Sequence, residues 1–213
     1  MGEAVDRAYQ AIREGIMRGT YAQGAHITAQ GLATASGLSR TPVREAMRRL
    51  DAEGLIRIIP NRGAFVVHWD KDEIQHIYDL RVLLEGFAAE SAALHVTPEQ
   101  LLELRAIADE MQAMVISPEP SREAIAEVND RFHKAILKAS GNSRLQELLN
   151  GIVEMSLVLS TFRHYQIEEL RRSANQHSEL VSALEVRDPA WARNVMAAHI
   201  LSARHTLLNV LSN

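Results

Sequence analysis

Three histidines in the second half of the chain are spaced so that they could form a metal site. His133 follows Asn129 by four residues, and residues four apart share one face of a helix. His177 and His199 lie eleven residues before and eleven residues after Asp188, so two helices that fold back at Asp188-Pro189 would place both imidazoles at the same level. Imidazole nitrogens suit zinc and nickel, and oxygen ligands suit manganese. The spacing predicts a divalent metal site, zinc by preference, with Asn129, His133, His177 and His199 as ligands.

The same histidines have a simpler interpretation, because histidines on helices are more often polar core or surface residues than ligands. Asn129 is the weakest ligand of the four, since an amide oxygen carries no charge, and Asp130 lies about 100° further round the helix. A site without a carboxylate keeps the full charge of the ion and leaves room for an anion. Arg81 and Arg163 are therefore predicted to bind the carboxylate of a small effector, although Arg81 could equally pair with Glu85, four residues on.

A second group of side chains with a clear chemistry is the arginine cluster in LSRTPVREAMRRL, residues 38–50. The apolar residues of this stretch fall on one helical stripe: Val43, Ala46, Met47 and Leu50. The arginines are left on the outer face, where they could bond guanine through two hydrogen bonds each, and hydroxyl groups near the helix start suit phosphates. The helix is predicted to enter the major groove of DNA. Its predicted contacts are Ser39, Arg40, Thr41, Arg44 and Arg48.

Two β-rich runs follow this helix, Leu55–Ile59 and Ala64–Val67, with PNRG between them. The pattern predicts a hairpin whose tight, basic tip is formed by Asn61, Arg62 and Gly63. Three helices with a short turn before the third, followed by a hairpin, are typical of a winged helix-turn-helix. We expect the tip to reach the minor groove or the DNA backbone. The alternative, a solvated arginine face, does not explain why helix, turn and hairpin occur in this order.

The charge and composition divide the chain and exclude several classes of protein. Residues 1–69 contain nine arginines against six acidic residues, a net charge of +3, whereas residues 70–213 have a net charge of −7. This asymmetry favours two parts with different partners, although chance scatter could also produce it. The absence of cysteine excludes disulfides and thiolate metal sites. No signal-peptide core and no apolar run of membrane-spanning length is visible, so we expect a cytoplasmic protein.

Helical periodicity and its punctuation predict the fold. After residue 69 we expect six helices and no strands, near 71–95, 98–115, 121–139, 143–164, 166–187 and 190–211. The predicted fold is mostly α. A winged helix-turn-helix DNA-binding domain covers 1–69, and an antiparallel six-helix bundle for effector binding and dimerisation covers 70–213.

The stretch GLSRTPVREAMRRLDAEGLIRIIPNRGAFVV, residues 37–67, resembles the DNA-binding domain of the GntR family of bacterial transcription regulators. The resemblance spans residues 5–67. It implies that Arg40 and Arg44 approach bases and that Gly63 lets the wing tip come close to DNA. Some relatives carry an arginine on the second helix where this chain has Gln30, which implies a weaker or different contact there.

Residues 72–211 resemble the FCD ligand-binding domain of the FadR subfamily. The matching blocks are LRVLLEGFAAESAA, NDRFHKAILKASGN and HSELVSALEVRDPAWARNVMAAHI. Many such domains bind a divalent metal through an Asp or Asn four residues before a histidine and through two later histidines, which implies the ligand set Asn129, His133, His177 and His199. Six helices rather than seven imply the smaller, VanR-like branch.

Together these features predict a ligand-responsive transcription regulator and not an enzyme. We expect a homodimer, acting as a repressor, that binds a palindromic operator and whose DNA affinity is modulated by a small organic acid at the metal-containing domain. Two alternatives stay open. A metal-dependent hydrolase could use the three histidines, although no His-Glu-x-x-His motif or comparable carboxylate base accompanies them. A constitutive DNA-binding protein could use its helical domain only to dimerise.

Overall fold

The computed structural model describes residues 2–60, 62–153 and 155–210. The chain divides into two compact units, one of residues 1–69 and one of residues 70–153 and 157–213. The predicted fold class is confirmed, because an N-terminal helix-turn-helix unit is followed by a unit built of helices.

The first unit contains three helices and three strands. Its elements are α1 (Gly2–Met17), β1 (His26–Ile27), α2 (Ala29–Ser36), α3 (Arg40–Ala52), β2 (Ile56–Ile59) and β3 (Gly63–Val66). The strands form one antiparallel sheet in the order β1-β3-β2, so the predicted two-stranded wing is incomplete. In the additional pairing His26 lies opposite Phe65. Two residues are too few to show the alternation of a strand, and the segment before them contains only turn signals.

The two helices of the helix-turn-helix begin and end for local reasons. The Thr28 hydroxyl accepts a hydrogen bond of 3.0 Å from the Gly31 N–H and caps α2. Gly37 ends α2 in the left-handed conformation (φ 67°), which glycine adopts without steric cost. The predicted apolar stripe of α3 is confirmed, because its members are all buried: Val43, Ala46, Met47 and Leu50.

A small polar network connects α3 to α1. Arg49 donates to Asp6 over 2.7 Å, and its guanidinium lies 4.4 Å from the centre of the Tyr9 ring. Tyr9 in turn donates to Glu53 over 2.7 Å. Burial, together with the hydrogen bond to Glu53, raises the pKa of Tyr9 to about 12. Arg49 therefore positions α3 within its own unit.

The wing requires glycine at position 63 for two reasons. Gly63 has a φ of 92°, which other residues adopt only under strain, and it faces the imidazole of His26 on β1. A Cβ atom at this position would overlap the His26 ring. The resemblance implied that Gly63 serves contact with DNA, and the structure adds an internal reason. Asn61, the first predicted tip residue, lies outside the described residues.

The second unit is an antiparallel arrangement of helices. Within the described part of the chain these are α4 (Lys71–His95), α5 (Pro98–Val115), α6 (Arg122–Ala139), α7 (Ser143–Asn150), α8 (Met155–His164), α9 (Ile167–Glu185) and α10 (Pro189–Val210). Helix α4 packs against α10, α6 and α9, and α5 packs against α9 and α6. None of the helices in the described ranges is long and apolar enough to span a membrane.

The prediction of six helices after residue 69 is wrong, because the segment expected to be one helix over 143–164 forms α7 and α8. Helix α7 ends in a turn whose backbone hydrogen bonds join residues three apart. Gly151 N–H donates to Leu148 O over 3.2 Å, and Ile152 N–H donates to Leu149 O over 3.0 Å. Glycine lowers helix stability by roughly 1 kcal/mol relative to alanine, and Gly151 lies at the point where the turn tightens. The assignment to the VanR-like branch depended on six helices and loses that support.

The turn between α9 and α10 is held to the end of α4. Arg187 adopts a φ of 53°, and its guanidinium donates to the carbonyl oxygens of Leu94 and Val96, each over 3.2 Å. The Asp188 carboxylate accepts from the Trp191 N–H over 2.9 Å at the start of α10. The two helices therefore fold back at the predicted position.

Substitution of Gly63 tests the wing. Gly63→Ala should lower the stability of the first unit by roughly 1–3 kcal/mol, because the new side chain strains the backbone and overlaps His26. The double variant Gly63→Ala, His26→Ala removes the overlap but keeps the strain, so it should recover part of the loss. Hydrogen exchange at the amides of β3 measures both effects. Equal exchange in the wild type and in Gly63→Ala would contradict this account.

Candidate metal centre and DNA-binding surface

The structure brings three histidines from three helices together. His133 on α6, His177 on α9 and His199 on α10 are buried, and the nitrogen atoms that they offer all lie within 4.8 Å of one another. The Nε2 atoms of His133 and His199 are 3.2 Å apart. Two nitrogens bound to one tetrahedral zinc ion at about 2.0–2.1 Å are separated by roughly 3.3–3.4 Å, so this spacing suits a shared metal.

A buried carboxylate, which the sequence analysis did not assign to the site, fixes the orientation of His133. Glu85 on α4 accepts from His133 Nδ1 over 2.5 Å and from Arg81 Nε over 2.7 Å. Burial alone would raise the pKa of Glu85, but Arg81 and then His133 outweigh it and hold the pKa well below its usual range. Since the carboxylate accepts at Nδ1, the lone pair of His133 is at Nε2, on the side of the other histidines.

Burial favours the neutral form of the other two imidazoles, which is the form that a metal requires. Burial, followed by the neighbouring histidines, holds the pKa of His177 well below its usual value. Burial, followed by His133, has the same effect on the pKa of His199. The Gln176 amide oxygen accepts a hydrogen bond of 3.2 Å from His199 Nδ1–H, which leaves the lone pair at Nε2. Two such lone pairs 3.2 Å apart repel each other unless a cation, either a proton or a metal ion, lies between them.

Several polar atoms in this region lack a partner among the described residues. His177 stacks on Phe132 with a centroid distance of 4.1 Å, and neither of its ring nitrogens has a hydrogen bond. The Asn129 side-chain oxygen, one helical turn before His133, is also buried without a donor. Leaving such an atom unsatisfied costs roughly 1–3 kcal/mol. A bound cation would use the Asn129 oxygen and the one His177 nitrogen that carries a lone pair.

The remaining predicted site residues of the second unit occupy different places. Arg81 is buried and pairs with Glu85, which is the alternative that the sequence left open. Arg163 is exposed on α8, so the structure does not bring it into the buried cluster. Asp130 pairs with Lys134 over 2.6 Å on the outer side of α6. Arg81 and Asp130 are therefore already paired within the chain, and Arg163 lies outside the buried cluster.

The first unit presents its predicted DNA contacts to solvent. Ser39, which precedes α3, is exposed, and so are four side chains on the helix: Arg40, Thr41, Arg44 and Arg48. Arg48 pairs with Glu45 over 3.1 Å, whereas no ion pair of Arg40 or Arg44 occurs among the residues that the structure describes. Arg62 and Gly63 are exposed at the wing tip. Arg40 and Arg44 are therefore the arginines of this helix most available to an external anion.

Comparison with known proteins decides the family. Residues 4–66 match the family described as bacterial regulatory proteins, gntR family, and residues 76–202 match the FCD domain. A transcriptional regulator of Agrobacterium vitis, from the intergenic region between ttuE and ttuC', is 34% identical over 134 residues, which are 62% of this chain and 78% of that protein. This chain belongs to the GntR family of bacterial transcription regulators and carries an FCD domain.

A further relative agrees with this assignment, and one solved structure shares the fold. The gluconate operon transcriptional repressor of Bacillus subtilis is 28% identical over 188 residues, which are 86% of this chain and 76% of that protein. The solved structure of Escherichia coli McbR/YncC matches with a TM-score of 0.72 and 24% identity and covers 99% of both chains, which shows the same fold. The prediction of a transcription regulator and not an enzyme is confirmed by the family, and the hydrolase alternative is excluded.

A zinc titration tests the role of Glu85 in this GntR-family regulator. Glu85→Gln should weaken zinc binding roughly 10–100-fold, because the amide no longer fixes His133 with a charge. Glu90→Gln is the matched control, since Glu90 lies on the same helix but pairs with Arg193 at the surface. Because Glu85→Gln leaves Arg81 buried and unpaired, the double variant with Arg81→Met separates misfolding from loss of metal affinity. Unchanged zinc affinity in both folded Glu85 variants would contradict the assigned role.

Proposed function

We propose that this regulator binds one divalent metal ion at His133, His177 and His199, with Asn129 as a fourth, weaker ligand. The observation that carries the proposal is the set of buried polar atoms without a hydrogen-bond partner among the described residues, namely the ring nitrogens of His177 and the side-chain oxygen of Asn129, beside two facing Nε2 atoms. One cation would bind one nitrogen of His177, the Asn129 oxygen and the two facing Nε2 atoms at once. Zinc is favoured by the imidazole ligands, and nickel and manganese are the alternatives.

We further propose that the effector is a small carboxylate. When bound, the metal supplies a positive charge that attracts an anion, and no carboxylate ligand among the four offsets that charge. The chain contributes the fixed geometry, because Glu85 orients His133 and Gln176 orients His199. The relative from Bacillus subtilis is named for a gluconate operon, and gluconate is a hydroxy acid, which supports an acid of this class.

A polar cleft beside the histidines is the proposed route for the effector. Its lining comes from α9, α10 and the segment after α8: Tyr165, Glu169, Arg172, Ser173, Gln176, Ser202 and Thr206. About 10 Å³ of the cleft is free, roughly room for one water molecule, so an organic acid enters only when side chains move. Gln176 connects the cleft to His199, and the buried Ser173 hydroxyl has no partner among the described residues.

The arginines take different parts in this proposal. Arg172 is exposed like Arg163 but lines the cleft, so it replaces Arg163 as the group that would pair with the far end of the effector. Arg81 acts through Glu85, since its Nε is already committed to that carboxylate. An effector that draws on Arg81 would disturb Glu85 and, through it, the position of His133.

On DNA we propose a homodimeric repressor that acts in the cytoplasm. One recognition helix covers only a few base pairs, so specificity for an operator needs two copies related by symmetry and a palindromic sequence. Helix α3 would enter the major groove with Arg40 and Arg44 at base edges, and Arg62 would contact the minor groove or the backbone. Repression is supported by the named function of the gluconate relative.

Elemental analysis and one histidine substitution test the metal. We expect one divalent ion per chain in the purified protein and its loss in His177→Ala, because that variant removes a ligand whose ring nitrogens have no hydrogen-bond partner among the described residues. Asn129→Asp should tighten metal binding, because a carboxylate adds charge to the ligand set. His95→Ala, on the exposed end of α4, is the control and should keep the metal. A metal-free wild type that binds no zinc, nickel or manganese when titrated would refute the proposal.

Arginine substitutions test the DNA surface. Arg40→Ala or Arg44→Ala should cost roughly 1–3 kcal/mol of operator affinity and relax the preference for particular bases. Arg62→Ala should weaken binding more evenly across sequences, because the wing is assigned mainly to backbone contact. Fluorescence anisotropy with operator and scrambled DNA measures both quantities. Losses at Arg40 and Arg44 that do not depend on sequence would show that these arginines contact phosphates only.

A further inference from the structure

A row of apolar side chains on α4 is exposed. Leu80, Leu83, Phe87 and Leu94 each show between 46% and 59% of their surface to solvent. Leu80, Phe87 and Leu94 are spaced by seven residues, two helical turns, so they lie on one face, and Leu83 lies on the same side one turn before Phe87. The opposite face of α4 carries the buried Arg81 and Glu85 (and hence the contact to the histidine cluster).

Acidic residues that border this row are neutralised within the chain. Glu90 pairs with Arg193 over 2.9 Å, and Asp79 pairs with Arg204 over 2.7 Å. Both arginines belong to α10, which packs along α4. A second α4 helix could approach this face without like-charge repulsion from these two carboxylates.

The spacing of the row is symmetric about Phe87. Leu80 lies seven residues before it and Leu94 seven residues after it, while Leu83 and the small Ser91 lie four residues before and after. In a twofold contact, each pairing of one residue with another occurs twice with the copies exchanged. Two antiparallel α4 helices centred on Phe87 would meet this condition, with Leu80 opposite Leu94 of the second copy and Ser91 leaving room for Leu83.

We propose that the α4 face formed by Leu80, Leu83, Phe87 and Leu94 is the surface through which two copies of this chain pair, antiparallel and with Phe87 on the twofold axis. The proposal deepens the proposed function, because it rests on the homodimer assigned there. Helix α4 makes the proposed contact between copies on one side and the Glu85–His133 contact on the other. A shift of this helix would therefore change both contacts.

Single cysteines test the register, since the wild-type chain contains none. In the full-length protein, Phe87→Cys should form a disulfide between copies under mild oxidation, because only residues near the twofold axis meet their own copies. Leu80→Cys or Leu94→Cys alone should not, since each would lie roughly 21 Å from its counterpart, but a mixture of the two should. Leu102→Cys, exposed on α5, is the control. We expect at least tenfold more cross-linked dimer for Phe87→Cys than for Leu102→Cys.

Sedimentation of charge variants gives an independent readout. Phe87→Glu should raise the dimer dissociation constant at least tenfold while circular dichroism stays helical, and Leu102→Glu should leave it unchanged. A dimeric wild type in which Phe87→Cys does not cross-link and Phe87→Glu still dimerises would overturn this interface and leave the proposed homodimer intact. A wild type that is monomeric when free and when bound to operator DNA would overturn both.

Discussion

The buried ion pair between Arg81 and Glu85 is the interaction on which the arrangement of the second unit depends. Placing two charges in a low-dielectric interior is unfavourable, and it is offset only when their geometry and remaining hydrogen bonds are satisfied. Here Glu85 also binds His133, and the Arg81 guanidinium lies 4.9 Å from the centre of the Tyr78 ring. Tyr78 is hydrogen bonded to Thr161 on α8 over 2.8 Å. One buried carboxylate therefore links α4 with α6, and its arginine extends the link towards α8.

This chain of contacts decides what the histidine cluster can do. Because Glu85 and Gln176 accept at the Nδ1 atoms of two histidines, the Nε2 atoms face inward, and burial keeps His177 and His199 neutral. Neutral imidazoles with inward lone pairs form a site for a cation rather than a set of charged surface groups. The fixed turn at Arg187 keeps α9 and α10 in register, so the two later histidines stay level. The proposed effector response follows from these constraints, since an anion near the cluster would compete with Glu85 and Gln176, which hold His133 and His199 in place.

Much of this arrangement could be predicted from the sequence, because the relevant signals are local or periodic. The apolar stripe of α3, the Thr28 cap and the fold-back at Asp188-Pro189 each follow from residue types at fixed spacings, and the level positions of His177 and His199 follow from counting along two helices. The role of Glu85 could not be predicted in this way. Its spacing from Arg81 indicates an ion pair, but the contact with His133 spans 48 residues and depends on how α4 packs against α6.

Other features escaped sequence analysis for related physical reasons. Strand β1 has two residues and is defined only by its partner β3, and the break at Gly151 looks like a tolerated glycine until its turn hydrogen bonds are seen. Arg49 shares the sequence pattern of the DNA-facing arginines, but a long-range pair with Asp6 gives it another role. Long-range contacts decide each of these cases.

The most direct test of the central claim is the coordination of a metal by the cluster itself. X-ray absorption of the zinc-reloaded protein should show a first shell with three imidazole nitrogens at roughly 2.0–2.1 Å and no sulfur. The His199→Ala variant should show one imidazole fewer or no ordered site. A wild-type spectrum with fewer than two imidazoles, or one that His199→Ala leaves unchanged, would contradict the account.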